Sequence, residues 1–128
     1  MAGAQNLLAL KIANNADIHS AIEKFAEENQ VTYGIFQAGR GKIKEINLLS
    51  SGMRGSLIGT KSEGSFEVNT VSGQVQKVSG NKYKVDLRMT ISSSGFTGKE
   101  GQLLAGKAAA GGLELILLKK DMKKIIEA

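Results

Sequence analysis

Glycine is abundant in this chain and proline is absent, and this pairing limits the folds that the sequence can adopt. The sequence contains 16 glycines, no proline and no cysteine. Glycine permits positive φ angles in turns and bulges, whereas proline would also remove a backbone hydrogen-bond donor from a strand. Strands that are joined or bent at glycines therefore keep their hydrogen-bonded pairing. The composition favours a large sheet with many tight turns.

The length and hydropathy of the chain predict one soluble domain over residues 1–128. A chain of 128 residues has room for one core and little room for a second. No apolar run approaches the ~20 residues that span a bilayer, and the first residues lack a basic segment followed by an apolar one. We therefore expect no membrane association, no signal peptide and a cytoplasmic location. The absence of cysteine excludes disulfides, thiolate zinc sites and cysteine nucleophiles.

One amphipathic helix is predicted near residue 17. Its apolar residues recur at the spacing of a single helical face, and charged glutamates and a lysine cover the opposite face. Asp17 suits the N-cap position and Asn29 is a plausible end. The apolar residues of this face are Ile18, Ala21, Ile22, Phe25 and Ala26. A helix that is apolar along one side is expected to pack on a sheet.

The other apolar segments read as strands. Residues 38–41 interrupt this pattern as a bulge or turn. Residues 52–64 are rich in glycine, serine and charge, with Leu57 and Ile58 as a candidate short strand, and residues 92–112 are soft. Residues 119–128 have the spacing of a short amphipathic helix. The strand pattern predicts an α+β fold with a mainly antiparallel sheet and one principal helix packed on it. The predicted strands are Leu7–Ile12, Val31–Gln37, Ile43–Leu49, Phe66–Thr70, Tyr83–Ile91 and Leu113–Leu118.

Catalytic motifs are weak in this sequence. Gly101–Ala108 nearly matches a phosphate-binding loop, but alanine follows Lys107 where serine or threonine should ligate magnesium, and a strand rather than a helix follows. His19 is the sole histidine, so the usual triads and zinc sites cannot be assembled, and it reads as a partly exposed helix residue. We expect no enzymatic activity, no cofactor and no bound metal.

A basic segment follows the second predicted strand. Arg40, Lys42 and Lys44 alternate there, and the whole chain carries a net charge of +5. Arginine beside glycine suits a narrow AT-rich minor groove, whereas lysine acts as a point charge on phosphate. A solvated glycine bulge is the alternative interpretation. The segment is a candidate for weak DNA binding.

A second polar face lies on the strand Tyr83–Ile91. Lys84, Asp86, Arg88 and Thr90 alternate with apolar residues, so they share one side of the strand. This side is either a solvated sheet surface or a site for a polar ligand.

Three segments, taken in chain order, carry a recognisable pattern. The most specific is Glu63–Gly73, an acidic-glycine-x-phenylalanine-glutamate-aliphatic run that ends in serine-glycine. The helix followed by Val31–Gly41, and the strand Leu113–Leu117, complete the pattern. In this order they resemble the helix, second strand, glycine-rich turn and last core strand of the PPC family, the domain shared by plants and prokaryotes.

The resemblance implies an α/β sandwich-like domain that assembles as a homotrimer. Prokaryotic members of the family are commonly described as predicted DNA-binding proteins. In the plant relatives a separate AT-hook binds DNA, and no AT-hook is present here. The resemblance therefore implies a non-enzymatic binding or assembly module.

The family resemblance also implies that a metal site has been lost. Many prokaryotic members carry a histidine-x-histidine pair and a third histidine, which match Lys84, Asp86 and Gln102 in this sequence. Lysine repels a cation, so the metal interpretation fails. As an alternative function, Lys84, Arg88 and Gln102 hold an anionic or amide-bearing metabolite, with Asp86 orienting Lys84.

Overall fold

The computed structural model describes residues 7–51, 57–80, 82–93 and 96–120. Within these residues the chain forms one helix and five strands. In chain order the elements are β1 (Leu7–Ile12), α1 (Ile18–Glu28), β2 (Tyr33–Ser51), β3 (Leu57–Ser79), β4 (Lys82–Ser93) and β5 (Phe96–Lys120).

Helix α1 begins and ends where the sequence predicts. The Asp17 side chain accepts a hydrogen bond of 2.9 Å from the Ser20 backbone amide, which satisfies one free donor of the first turn. At the other end, the Val31 amide donates to the Ala26 carbonyl at 2.8 Å, while Gln30 adopts a φ of +55°. A left-handed residue followed by this bond is the Schellman ending of a helix. The predicted helix is confirmed.

All strand pairings are antiparallel, and they close into a ring. The strand order is β1-β5-β2-β3-β4, and β4 also pairs with β5. Strand β5 pairs with β4 over residues 96–102, with β2 from residue 102 to residue 120, and with β1 over residues 113–118. The predicted α+β class with an antiparallel sheet and a single helix is confirmed in its outline, although the sheet dominates the fold more than the sequence pattern indicates.

The strands are longer than their apolar patterns predict. Residues 96–112, expected to be soft, belong to β5, and residues 57–64 belong to β3. A Cβ atom on Gly101 would lie 2.5 Å from the Leu49 carbonyl oxygen, so glycine is required for this close approach of β5 to β2. The predicted interruption at residues 38–41 is a pair of register shifts inside a continuous β2. The helix predicted at residues 119–128 falls mostly on residues 121–128, which lie outside the described residues.

The core lies between the sheet and α1, which packs on β1, β4 and β5. Ile18, Ile22 and Ala26 are buried on the helix, as the helical spacing predicts. Complete burial of one isoleucine side chain stabilises the fold by roughly 1.5–3 kcal/mol. Within the described residues, no helix is both long and apolar enough to cross a membrane. The largest fully buried side chains on the strands are Ile43, Ile46, Leu87, Met89, Ile91, Leu103, Leu113 and Leu115.

Candidate binding surfaces

The outer face of β1, β5 and β2 carries rows of cross-strand neighbours that point away from the core. Inward residues of β5 such as Leu115 are buried, so the alternate residues face outward. Two outward rows are apolar, and Leu7 in the first is 53% exposed. We call these two rows the outer patch; they are Leu7–Leu118–Ile35 and Ala9–Ile116–Ala38.

The next outward row is charged. Lys11 on β1 lies opposite Glu114 on β5, which lies opposite Arg40 on β2. The Arg40 Nε atom donates to Glu114 Oε1 at 2.9 Å, and the Arg40 side chain is 85% exposed while that of Glu114 is 24% exposed. Arg40 is thus a strand residue oriented by a partner 74 positions away. The sequence singled out Arg40 but gave no sign of Glu114 as its partner.

The remaining basic residues of β2 lie farther along the same strand. Lys42 lies opposite Glu67 on β3, and Lys44 lies opposite Lys107 on β5. Like charges in direct opposition destabilise a sheet. Here the Lys44 Nζ atom donates to the Asn15 side-chain oxygen.

Acidic groups reduce the positive charge of the basic cluster, which consists of Lys42, Lys44 and Lys107. Lys107 lies 3.7 Å from a Glu45 carboxylate oxygen. The pKa of Asp17 is lowered, chiefly because the Ser20 backbone amide donates to its carboxylate, with smaller contributions from the nearby His19 and Lys107. Sequence reasoning missed Lys107 as a neighbour of Lys44, because only the strand register brings them together.

The polar face of β4 is confirmed as a shared side of the strand. Lys84 and Arg88 are exposed, while the intervening Leu87 is buried. Gln102 on β5 lies opposite Arg88, not opposite Lys84 or Asp86. Lys84 instead lies opposite Gln76 on β3. The structure thus brings Arg88 and Gln102 together and places Lys84 at the far end of the row.

Asp86 is a half-buried member of the β4 face. Its Oδ1 atom is buried without a hydrogen-bond partner, and Arg88 Nε approaches it at 3.8 Å, which is an ion pair but too long for a hydrogen bond. Its cross-strand neighbour Gln74 accepts a hydrogen bond of 2.8 Å from the Tyr33 hydroxyl. Gln74 and Tyr33 belong to this surface but were not found from the sequence.

These residues do not fit a metal ion. Within the described part of the chain, no three His, Cys, Asp or Glu side chains are grouped closely enough to hold one. The cation of Arg88 occupies the space beside Asp86, and Gln102 is a neutral amide. Metal sites need several anionic or imidazole ligands, and Lys84, Asp86 and Gln102 do not supply such a set.

The near match to a phosphate-binding loop has a different structure. Gly101–Ala108 lies entirely within β5, and the Asn15 amide donates to the Ala108 carbonyl at 2.9 Å. A phosphate-binding loop requires a helix directly after the lysine, so this segment is a strand with a chance likeness. His19 is half-buried on α1, as expected from its place in the first turn.

The comparison with family models identifies the fold that carries these surfaces. A model of the Plants and Prokaryotes Conserved (PCC) domain, the family abbreviated PPC, matches residues 1–120. The chain belongs to this family. The resemblance found in the sequence is confirmed. Comparison with curated protein sequences gives no significant match.

Solved structures with the same fold come from bacteria and archaea. A candidate DNA-binding protein from Bacteroides thetaiotaomicron is 19% identical, with a TM-score of 0.73 over 90% of this chain and 78% of its own. A metal-containing protein from Archaeoglobus fulgidus is 16% identical, with a TM-score of 0.73 over 88% of this chain and 78% of its own. A PPC protein from Pyrococcus horikoshii is 18% identical, with a TM-score of 0.71 over 90% of this chain and 80% of its own. At these identities the likeness establishes the PPC fold.

Proposed function

We propose that this PPC domain is a non-enzymatic assembly module that forms a homotrimer through the outer patch and binds DNA weakly through its phosphates. The observation that carries the proposal is the order of rows on one outer face. Two apolar rows lie beside the charged row of Lys11, Glu114 and Arg40, and the basic cluster of Lys42, Lys44 and Lys107 continues from there.

The outer patch supports assembly because its apolar residues face away from the core. A monomeric protein commonly exposes single apolar residues, whereas adjacent apolar rows on three paired strands form a continuous surface. The charged row that borders the patch carries both signs, so a cation of one copy can approach Glu114 of another. Three subunits are proposed because the family resemblance implies a homotrimer.

Replacing Ile116 with aspartate tests this interface. A carboxylate at the centre of the patch would be desolvated on assembly, so we expect Ile116→Asp to elute from a sizing column as a smaller species than the unaltered chain. Val78→Asp is the matched control, because Val78 is an apolar strand residue that is 53% exposed and lies near the β3–β4 turn, away from the patch. Assembly that survives Ile116→Asp, or is lost equally in both variants, contradicts the assignment of the patch.

The basic cluster supports phosphate contact rather than base reading. Lys42 and Lys44 are point charges, and the Arg40 guanidinium is engaged by Glu114 instead of extending as a free arginine. Glu45 and Asp17 reduce the local positive charge beside Lys107. We therefore expect weak binding without preference for AT-rich sequence.

Fluorescence anisotropy with labelled AT-rich and GC-rich duplexes over a salt series tests the DNA proposal. If three lysines each neutralise one phosphate, a plot of the logarithm of the association constant against the logarithm of the salt concentration should have a slope of about −3 per contacting subunit. The double variant Lys42→Gln/Lys44→Gln should reduce this slope by about 2, and the control Lys77→Gln/Lys82→Gln should not. Absence of binding at low salt rejects the DNA proposal and leaves the assembly proposal to its own test.

A second candidate function rests on the β4 face. Lys84, Arg88 and Gln102 present two cations and an amide, and Asp86 pairs with Arg88 rather than with Lys84. The cations and the amide can donate to a carboxylate, phosphate or amide oxygen of a ligand. We propose an anionic or amide-bearing metabolite as the ligand of this alternative.

Titration calorimetry with a panel of carboxylates, phosphates and primary amides tests the alternative. A binder should lose most of its affinity in Arg88→Gln and in Gln102→Ala, and keep it in Lys77→Gln, whose position on β3 lies outside the cluster. If no compound of the panel binds, or if the affinity of a bound compound is unchanged in Arg88→Gln, the β4 face is not the proposed ligand site.

A further inference from the structure

A groove with charged side chains in its lining lies next to the charged row, at the point where β1 ends. Its volume is about 740 Å³, and strands β1, β2, β3 and β5 all contribute to its lining. Pockets of this volume are large enough for a small metabolite. The charged residues of the lining are Lys11, Arg40, Glu67 and Glu114.

Glycines form much of the wall between these strands. A Cβ atom on Gly41 would lie 2.4 Å from the Gly112 carbonyl oxygen, and one on Gly112 would lie 2.9 Å from the Ile12 carbonyl oxygen. Gly111 has a φ of +89° and faces open space. The backbones of β2, β5 and β1 therefore meet without side chains between them, and the charged side chains surround an uncovered floor.

Two cations lie on the β1–β2 side of the groove. Glu114 binds Arg40 through Nε only, and the guanidinium has further N–H donors on its terminal nitrogens. These donors have the fork geometry that suits a carboxylate. Lys11 shares the row and forms no ion pair within the described residues.

A carboxylate lies on the β3 side of the groove. Glu67 is exposed and lies opposite Lys42 in the strand register, yet the described residues contain no ion pair with it. A carboxylate accepts hydrogen bonds only, so its natural counterpart in a ligand is an ammonium group. The groove thus offers donors of Lys11 and Arg40 on either side of Glu114, and the Glu67 carboxylate on β3.

We propose that this groove binds a zwitterionic metabolite of the α-amino-acid type. The carboxylate of the ligand is held by Arg40 and Lys11, and its ammonium group by Glu67. Glu114 is a positioning residue that keeps the Arg40 guanidinium turned toward the ligand. This site is separate from the β4 face and does not depend on DNA binding.

Calorimetric titration of the full chain with three matched compounds tests the charge pattern. Leucine carries both charged groups, 4-methylpentanoate lacks the ammonium, and 3-methylbutylamine lacks the carboxylate. We expect leucine to bind at least about tenfold more tightly than either analogue, because each charge-assisted hydrogen bond contributes that much or more. Equal binding of leucine and the acid would identify a simple anion site and overturn the zwitterion proposal, as would no binding of leucine.

Charge-neutral variants locate the site. Lys11→Gln and Glu67→Gln should each weaken leucine binding about tenfold, and only Glu67→Gln should bring leucine and 4-methylpentanoate to the same affinity. The matched controls Lys77→Gln and Glu23→Gln alter exposed charges outside the groove. Arg88→Gln distinguishes this site from the β4 face. Leucine binding that depends on Arg88 but not on Lys11 or Glu67 would reject the groove.

Discussion

Gly73 is the position where one added methyl group should most damage the sheet. It has a φ of +113°, and a Cβ atom built there would lie 1.9 Å from the Asp86 carbonyl oxygen of the neighbouring strand. The two backbones are hydrogen-bonded partners, with Gly73 opposite Leu87. The methyl group therefore cannot be accommodated unless β3 and β4 separate at this row.

The expected loss for Gly73→Ala is the sum of two effects. An unfavourable φ for a residue with a side chain costs about 1–3 kcal/mol. Separation of the strands loses local hydrogen bonds of about 1 kcal/mol each and leaves buried polar groups unsatisfied at about 1–3 kcal/mol. We expect a decrease of at least about 3 kcal/mol in the free energy of unfolding, a large part of the 5–15 kcal/mol typical of a domain.

Gly80→Ala is the matched control, and chemical denaturation followed by circular dichroism is the assay. Gly80 lies at the end of the same hairpin with a φ of +51°, but a Cβ atom there meets nothing within 4 Å. It should lose only about 1 kcal/mol, from the left-handed conformation alone. Both variants are compared at one protein concentration, because assembly makes apparent stability depend on it. Equal losses in the two variants would refute the steric argument.

Three predictions concern α1 and its ends. Asp17→Ala should lower the free energy of unfolding by about 1 kcal/mol at neutral pH, because the Ser20 amide loses its cap. Since the folded-state pKa of Asp17 is lowered, this difference from the unaltered chain should shrink in acid unfolding curves as pH falls from about 4 through that folded pKa. Ile22→Ala should lose about 2–5 kcal/mol in urea unfolding because the side chain is 1% exposed, and a loss below 1 kcal/mol would contradict the described core. Gln30→Gly should raise the thermal midpoint of unfolding, because relief of about 1–2 kcal/mol of left-handed strain exceeds the entropic cost of ordering a glycine. A lower midpoint would contradict the Schellman ending before Val31.

The local elements were predictable where side-chain periodicity is strong. The apolar face of α1 and its Asp17 cap follow from residue spacing within one element, and so does the alternation along β4. Strand β5 was only partly predictable, because buried small residues such as Ala108 and Ala109 give no apolar alternation. Its glycines signal turns in the sequence, but Gly101 serves a close approach between strands.

The candidate sites were predictable as residues but not as neighbours. Alternation placed Lys84, Asp86 and Arg88 on one side of β4, and the structure agrees. The pairing of Arg40 with Glu114 joins residues far apart in the chain and depends on register shifts within β2. Such shifts follow from backbone geometry at bulges, which the order of residue types does not encode.

The mass of the unaltered chain in solution tests the central claim most directly. Light scattering coupled to a sizing column, run at several loading concentrations, gives this mass without a shape assumption. An assembly module built on the outer patch should have three times the 13.5 kDa mass of one chain. A mass of one chain at every concentration would contradict the account, because the apolar rows of β1, β5 and β2 would then face solvent without a partner copy.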